Sequence, residues 1–141
     1  MDLPDVGERV VSTPLLVGSR IIYVTIVPDS GACSGGGYSW LMEVDARNGG
    51  ELANVPFDLN NDGVFTVGVM VDIDGDGTPD HAPGGVKPGG GDGFVPTPVR
   101  VVEPGGGKEH KYMPSTSGSI EHVVENPGGS PTGRQSWRQI R

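Results

Sequence analysis

The sequence predicts an all-β chain, and three observations carry that expectation. No segment sustains the 3.6-residue apolar period of an amphipathic helix. Gly 25 and Pro 13 among 141 residues leave little room for helices. Runs of β-branched and apolar residues recur instead, separated by Gly, Asn, Asp and Pro. At this length one domain is expected, or a piece of a larger one.

The first two runs are VVSTPLLV (10–17) and RIIYVTIV (20–27), split by Gly18-Ser19. Gly at the first central position of a two-residue loop suits a type II′ hairpin. The near-continuous hydrophobicity of these strands predicts burial on both faces. Asp29 to Gly37 reads as a flexible loop holding Cys33, a lone thiol that cannot form an internal disulfide. SWLMEVDA (39–46) is the next strand, followed by an Arg47-Asn48-Gly49-Gly50 turn and by Glu51-Leu52 leading away. This order of strand, Asp, Gly turn and short strand resembles the blades of quinoprotein-like β-propellers. Residues 64–71 form another apolar run, and His81 to Gly93 reads as a Gly/Pro-rich linker or surface loop. Strands are expected near 95–102, 109–113, 119–125 and 135–140. The organisation is therefore 1–80 as blade strands, 81–93 as a linker or surface loop, and 94–141 as C-terminal strands and tail.

The inventory poses a packing problem. Hydrophobic residues make up 34% and aromatics 6%, which supplies few large anchors. The N-terminal third is too apolar for an isolated sheet, and the C-terminal third reads as too polar to cover it. Residues 1–72 are accordingly expected to share a core with sequence outside this chain, as a propeller blade does with its neighbours.

Chemistry concentrates in Asp72-Ile73-Asp74-Gly75-Asp76-Gly77-Thr78-Pro79-Asp80. Carboxylates stand at loop positions 1, 3, 5 and 9, with glycine at 6. Ca²⁺ takes six to eight oxygens at about 2.3–2.6 Å, so a short loop must curl tightly around it. Asp72, Asp74, Asp76 and Asp80 supply carboxylates, Thr78 supplies its carbonyl, and Gly77 permits the reversal. An EF-hand would place Glu at position 12, which here is Pro83. The spacing resembles instead the nine-residue calcium loops of integrin-type propellers and thrombospondin-like repeats. Without a cation, each close carboxylate pair costs about 1 kcal/mol in water and about 4 at intermediate dielectric. The other reading of these residues is an acidic, solvated turn. A weaker copy precedes it, with Asp58, Asn60 and Asp62 at positions 1, 3 and 5, Gly63 at 6 and Thr66 at 9. With one amide and one hydroxyl replacing carboxylates its affinity should be lower, and a plain turn explains the residues as well.

The formal net charge of −8 argues against nucleic acid as a partner. Residues 57–80 hold six of the 18 acids and no Lys or Arg, whereas 100–141 hold six of the ten basic residues. That asymmetry fits a cation site mid-chain and a mildly basic tail. No signal peptide opens the chain, and no run of about 18 apolar residues spans a membrane. Met1-Asp2-Leu3-Pro4 reads like the interior of a longer polypeptide. His81, His110 and His122 lack any close ligand spacing, so no zinc site is expected. There is no G-x-S-x-G elbow and no Walker loop, and four acids in one loop do not make the two-sided carboxylate pair of a glycosidase. The expectation is a protein without catalytic residues. Trp40 and Trp137 read as core. Arg134, Arg138 and Arg141 are either a dock for an acidic partner or a solvated final strand.

Several segments together carry a family resemblance. They are Gly7-Glu8-Arg9-Val10-Val11, Cys33-Ser34-Gly35-Gly36 before Ser39-Trp40-Leu41-Met42-Glu43, Phe57-Asp58-Leu59-Asn60-Asn61-Asp62-Gly63, and Gly133-Arg134-Gln135-Ser136-Trp137-Arg138-Gln139-Ile140-Arg141. In that order they resemble the C-terminal part of the PilY family, called PilC in neisseriae, which are type IV pilus tip-associated adhesins and assembly factors. The resemblance implies the terminal blades of a modified β-propeller with calcium loops, ending in a tail. It implies location at the pilus tip or outer membrane, and roles in pilus assembly, opposition to retraction and adhesion. The implied partners are the remaining blades of a full-length protein, pilins or pilus assembly proteins, and a host surface ligand. The family's large N-terminal region is absent here, and so is any Arg-Gly-Asp. The competing reading is a calcium-stabilised repeat fragment of a secreted enzyme or of a quinoprotein-like propeller. Such an enzyme needs a cofactor-binding cation site and a central catalytic carboxylate, which nothing in this sequence supplies.

Overall fold

The structure is a computed structural model that describes residues 3, 5–29, 36–66, 77–78, 83–90 and 93–128. Among these residues eight strands form two antiparallel sheets: β1 Arg9–Val10, β2 Leu15–Val17, β3 Arg20–Pro28, β4 Gly37–Asp45, β5 Gly85–Val86, β6 Val99–Val102, β7 Glu109–Pro114 and β8 Ile120–Glu125. The described residues close neither a barrel nor a propeller. The all-β expectation holds, and the only helical geometry among them is a 3-10 turn at Pro88–Gly90.

The first sheet is built on β3 and β4, which pair over their whole length from Arg20↔Asp45 to Pro28↔Gly37. β3 is the run RIIYVTIVP, and its β-branched side chains suit a pleated surface packed on both sides. Ile22 and Val24 on one face and Thr25 on the other are completely buried. The run 10–17 does not make one strand. β1 pairs with Thr25–Ile26 and β2 with Arg20–Ile22, so the two short pieces share the free edge of β3. Pro14 lies between them, where it has no ladder N–H to give. The β2–β3 turn is the expected hairpin: Val17 pairs with Arg20 and Gly18 takes φ +61, as a primed turn requires. After β4 the chain turns at Ala46–Gly50, with Gly49 N–H bonded to the Asp45 carbonyl at 2.8 Å. The segment expected as a linker supplies β5, whose Gly85 and Val86 pair with Met42 and Leu41 on the other side of the sheet.

The second sheet, in the order β6-β7-β8, comes entirely from the polar C-terminal third. It does cover the first sheet, which corrects the sequence-based expectation that it was too polar to do so. Met113 and Val95 join Ile22, Val24, Leu41 and Phe57 in one apolar cluster between the sheets. Beside that cluster the facing positions are charged, and they are neutralised in pairs. Phe57 bridges to Glu125, and Asn126 N–H bonds the Pro56 carbonyl at 2.8 Å, so the segment around Phe57 runs along the edge of β8.

The other face of the first sheet carries Tyr23, Met42 and Val44, with Leu3, Ile21 and Trp40 packed on them. A strap at residues 5–8 lies across it. The Trp40 indole donates to Asp5 Oδ2 at 2.7 Å, and the Thr25 hydroxyl donates to Glu8 Oε1. The Lys87 ammonium stands 3.9 Å from the centre of the Tyr38 ring and 4.7 Å from that of Trp40. Trp40, expected in the core, is half-buried under this strap.

Candidate functional site

The main calcium loop falls largely outside the described residues: Asp72, Asp74, Asp76 and Asp80 are not among them. Thr78 is described and exposed, and Gly77 takes φ +89, a conformation that suits a sharp reversal. Cys33 and the tail bearing Trp137 also lie outside the described residues.

The weaker copy is described completely. It hangs from Phe57, which is 1% exposed and bridges β8, so its first ligand position is anchored to the core. Asp58 Oδ2 accepts from the Gly63 N–H at 2.8 Å, and Oδ1 accepts from the Asp62 N–H at 3.2 Å. Asn60 Oδ1 accepts from the same Asp62 N–H at 3.2 Å, and Asp62 Oδ1 accepts from the Val64 N–H at 2.7 Å. The Asn60 amide donates to Asp62 Oδ2 at 2.9 Å. Asn61 at φ +57 and Gly63 at φ +78 provide the two left-handed residues that bend the chain around these groups. Asp58, Asn60 and Asp62 are thus brought together. Each carboxylate oxygen keeps a second lone pair for a cation. Thr66 is exposed. Lys108 stands beside the loop, its Nζ 2.7 Å from where a Cβ on Gly63 would lie, and its charge opposes a bound cation.

A second constellation was not foreseen from the sequence. Glu43 on β4, Glu109 on β7 and Glu125 on β8 are all buried, with one oxygen from each lying within 4.8 Å of the others. The Lys111 ammonium sits among them, paired with Glu43 and Glu125 and lying 3.3 Å from Glu109. Arg20 spans Glu43 at 2.8 Å and Glu109 at 3.0 Å, and it donates to the carbonyls of Asn126 and Pro127 at 3.1 and 3.0 Å. Arg100 Nε meets Glu109 at 2.7 Å. Three carboxylates thus face three cations, and the ammonium occupies the place between carboxylates that a metal ion would take. Burial pushes the Lys111 pKa below its usual value, while the charges of Glu43 and Glu109 oppose that shift. The signal available in the sequence was Glu43 between Met42 and Val44 in SWLMEVDA: a charge flanked by apolar residues within a strand needs a partner if it is buried.

Two of the three histidines, which lack any close ligand spacing in the sequence, are brought together by the fold. His110 on β7 and His122 on β8 meet on the exposed face of the second sheet, with Nδ1 of one 2.9 Å from Nε2 of the other.

A 54-residue stretch is 44% identical to a type IV pilus biogenesis factor PilY1 homolog from Xylella fastidiosa (strain Temecula1 / ATCC 700964). The match takes in 36% of this chain and 4% of that protein, so the chain corresponds to a small part of its relative's length. Part of the chain is therefore PilY1-related in sequence. No family model matches, and no solved structure matches.

Proposed function

We propose that this chain is a noncatalytic, calcium-binding part of a type IV pilus biogenesis and tip protein, supporting pilus assembly and surface adhesion. The stretch shared with the pilus biogenesis factor carries this reading. The fold supports a scaffold role. The buried carboxylates are balanced by Arg20, Lys111 and Arg100, and the Asp58 and Asp62 carboxylates hold turn-forming hydrogen bonds. In this reading the two sheets belong to the terminal blades of a modified propeller completed by the rest of the protein. The acidic loops at 58–66 and 72–80 are its calcium sites. Pilins or assembly proteins at the cell surface are its partners, and a host surface molecule is its adhesive ligand.

The test is made in a type IV-piliated bacterium that carries the full-length protein with an epitope tag. The tag should appear in sheared pilus and outer-membrane fractions, and removing the segment of residues 1–141 should abolish surface piliation at matched protein levels. Retention in the cytosol, or normal piliation without the segment, would overturn the reading.

A further inference from the structure

His110 and His122 meet on the outward face of the second sheet, edge to edge. β7 and β8 pair His110 with Val124 and Tyr112 with His122, so the imidazoles are diagonal neighbours on one face of a continuous ladder. Their rings lie 15° from parallel with centroids 5.1 Å apart, and Tyr112 stacks on His122 at 4.7 Å and 10°. The second nitrogen of His110, Nε2, lies 3.0 Å from Glu103 Oε1.

These contacts settle the proton positions in the neutral pair. An ionised Glu103 only accepts, so His110 Nε2 carries the hydrogen and its Nδ1 presents a lone pair to His122. His122 Nε2–H then donates to that lone pair. Moving the His122 proton from Nε2 to Nδ1 leaves two lone pairs facing each other, with no net proton gained or lost. Two imidazole nitrogens on one tetrahedral Zn²⁺, each at about 2.05 Å, are about 3.3 Å apart. The observed 2.9 Å therefore needs an opening of a few tenths of an ångström, together with a rotation of both rings that turns each lone pair off the N–N line towards the ion. A carboxylate on the remote N–H of a ligating histidine is the usual outer-shell arrangement, because it fixes the ring and raises its basicity.

We propose that His110 Nδ1 and His122 Nε2 form a two-imidazole site for a borderline divalent transition-metal ion such as Zn²⁺, with Glu103 orienting His110. The face is exposed, so water fills the remaining positions. Imidazole selects zinc, copper or nickel over the hard cations that prefer the acidic loops, so the site is chemically independent of calcium.

The test is a Zn²⁺ titration of the full 141-residue chain by calorimetry at neutral pH, with calcium in excess to occupy the acidic loops. Long-range ¹H–¹⁵N spectra of the histidine rings are recorded in parallel. The expected result is one equivalent bound, with shifts at His110 Nδ1 and His122 Nε2 and a switch of the His122 proton to Nδ1. His122→Asn should abolish that equivalent and His81→Asn should leave it. Glu103→Ala should weaken binding by about tenfold or more. Absence of zinc-dependent shifts at these two nitrogens in the unsubstituted chain would overturn the site, and so would equal isotherms for it and His122→Asn. Unchanged affinity in Glu103→Ala would remove Glu103 from the site.

Discussion

Arg20 Nη2 donates to Glu109 Oε2 at 3.0 Å across the gap between the two sheets, joining residues 89 apart in sequence. The same guanidinium holds Glu43 on its own sheet through Nη1 at 2.8 Å. A polar C-terminal sheet can therefore close over an apolar N-terminal one, because each buried charge arrives with its counter-charge. Such a layer stabilises little relative to an apolar one, but removing one member leaves an uncompensated charge in low dielectric.

Lys111→Met should cost about 3–5 kcal/mol, since it strands the Glu125 carboxylate, whose ion-pair partner is Lys111. Lys111→Met with Glu125→Leu removes one charge of each sign and leaves Arg20 and Arg100 facing Glu43 and Glu109. That double variant should recover most of the loss. Urea denaturation of the three chains checks this, and a double variant as unstable as the single would contradict the charge-balance argument.

The strands were legible where local chemistry decides them. Gly18-Ser19 between β-branched runs specified the hairpin, and the two-sided hydrophobicity of residues 20–27 specified a strand buried on both faces. The covering sheet was legible as strands but not as a lid. Glu109, Lys111 and Met113 alternate with exposed residues, a pattern that reads as a half-solvated strand until Glu43, 68 positions from Lys111, is brought opposite. The same holds for His110 and His122. Their 12-residue separation means nothing as a ligand spacing, and only the β7–β8 register makes them neighbours. The Asp58 loop was legible because its turns are local, set by Asn61 and Gly63.

The acidic loop of Asp72, Asp74, Asp76, Thr78 and Asp80 should bind one Ca²⁺ with the affinity of extracellular modules, about 10⁻⁴–10⁻³ M. The Asp58, Asn60 and Asp62 loop should bind more weakly, with Lys108 beside it. Calorimetry of the unsubstituted chain should show a heat that Asp76→Ala removes and Asp62→Ala leaves largely intact. Equal heats for the unsubstituted chain and Asp76→Ala would contradict the assignment.

Asp5 should hold the strap on Trp40 down to acid pH. The hydrogen bonds from Trp40 and Tyr38 keep the Asp5 carboxyl below its ordinary 3.8, so their stabilisation is present above that value and is lost as pH falls through the lowered one. In a Trp137→Phe background, Trp40 emission should stay constant from neutral pH to about 4 and shift red below it. Asp5→Ala should show the shifted emission at neutral pH. Identical spectra for the two proteins at pH 7 would show that the strap does not depend on Asp5.

Binding of calcium to the folded form alone adds RT ln(1 + [Ca²⁺]/Kd), about 1–2 kcal/mol when free calcium exceeds Kd tenfold to twentyfold. That is enough to order a loop and the strand ends it joins, but not to fold an unstructured chain. The most direct measurement is a count of surface pili, with and without calcium, in bacteria carrying the full-length protein or its Asp74→Ala/Asp76→Ala variant at matched protein levels. The account predicts normal secretion of the variant and loss of the calcium-dependent part of piliation. Equal piliation of both strains in both conditions would contradict it.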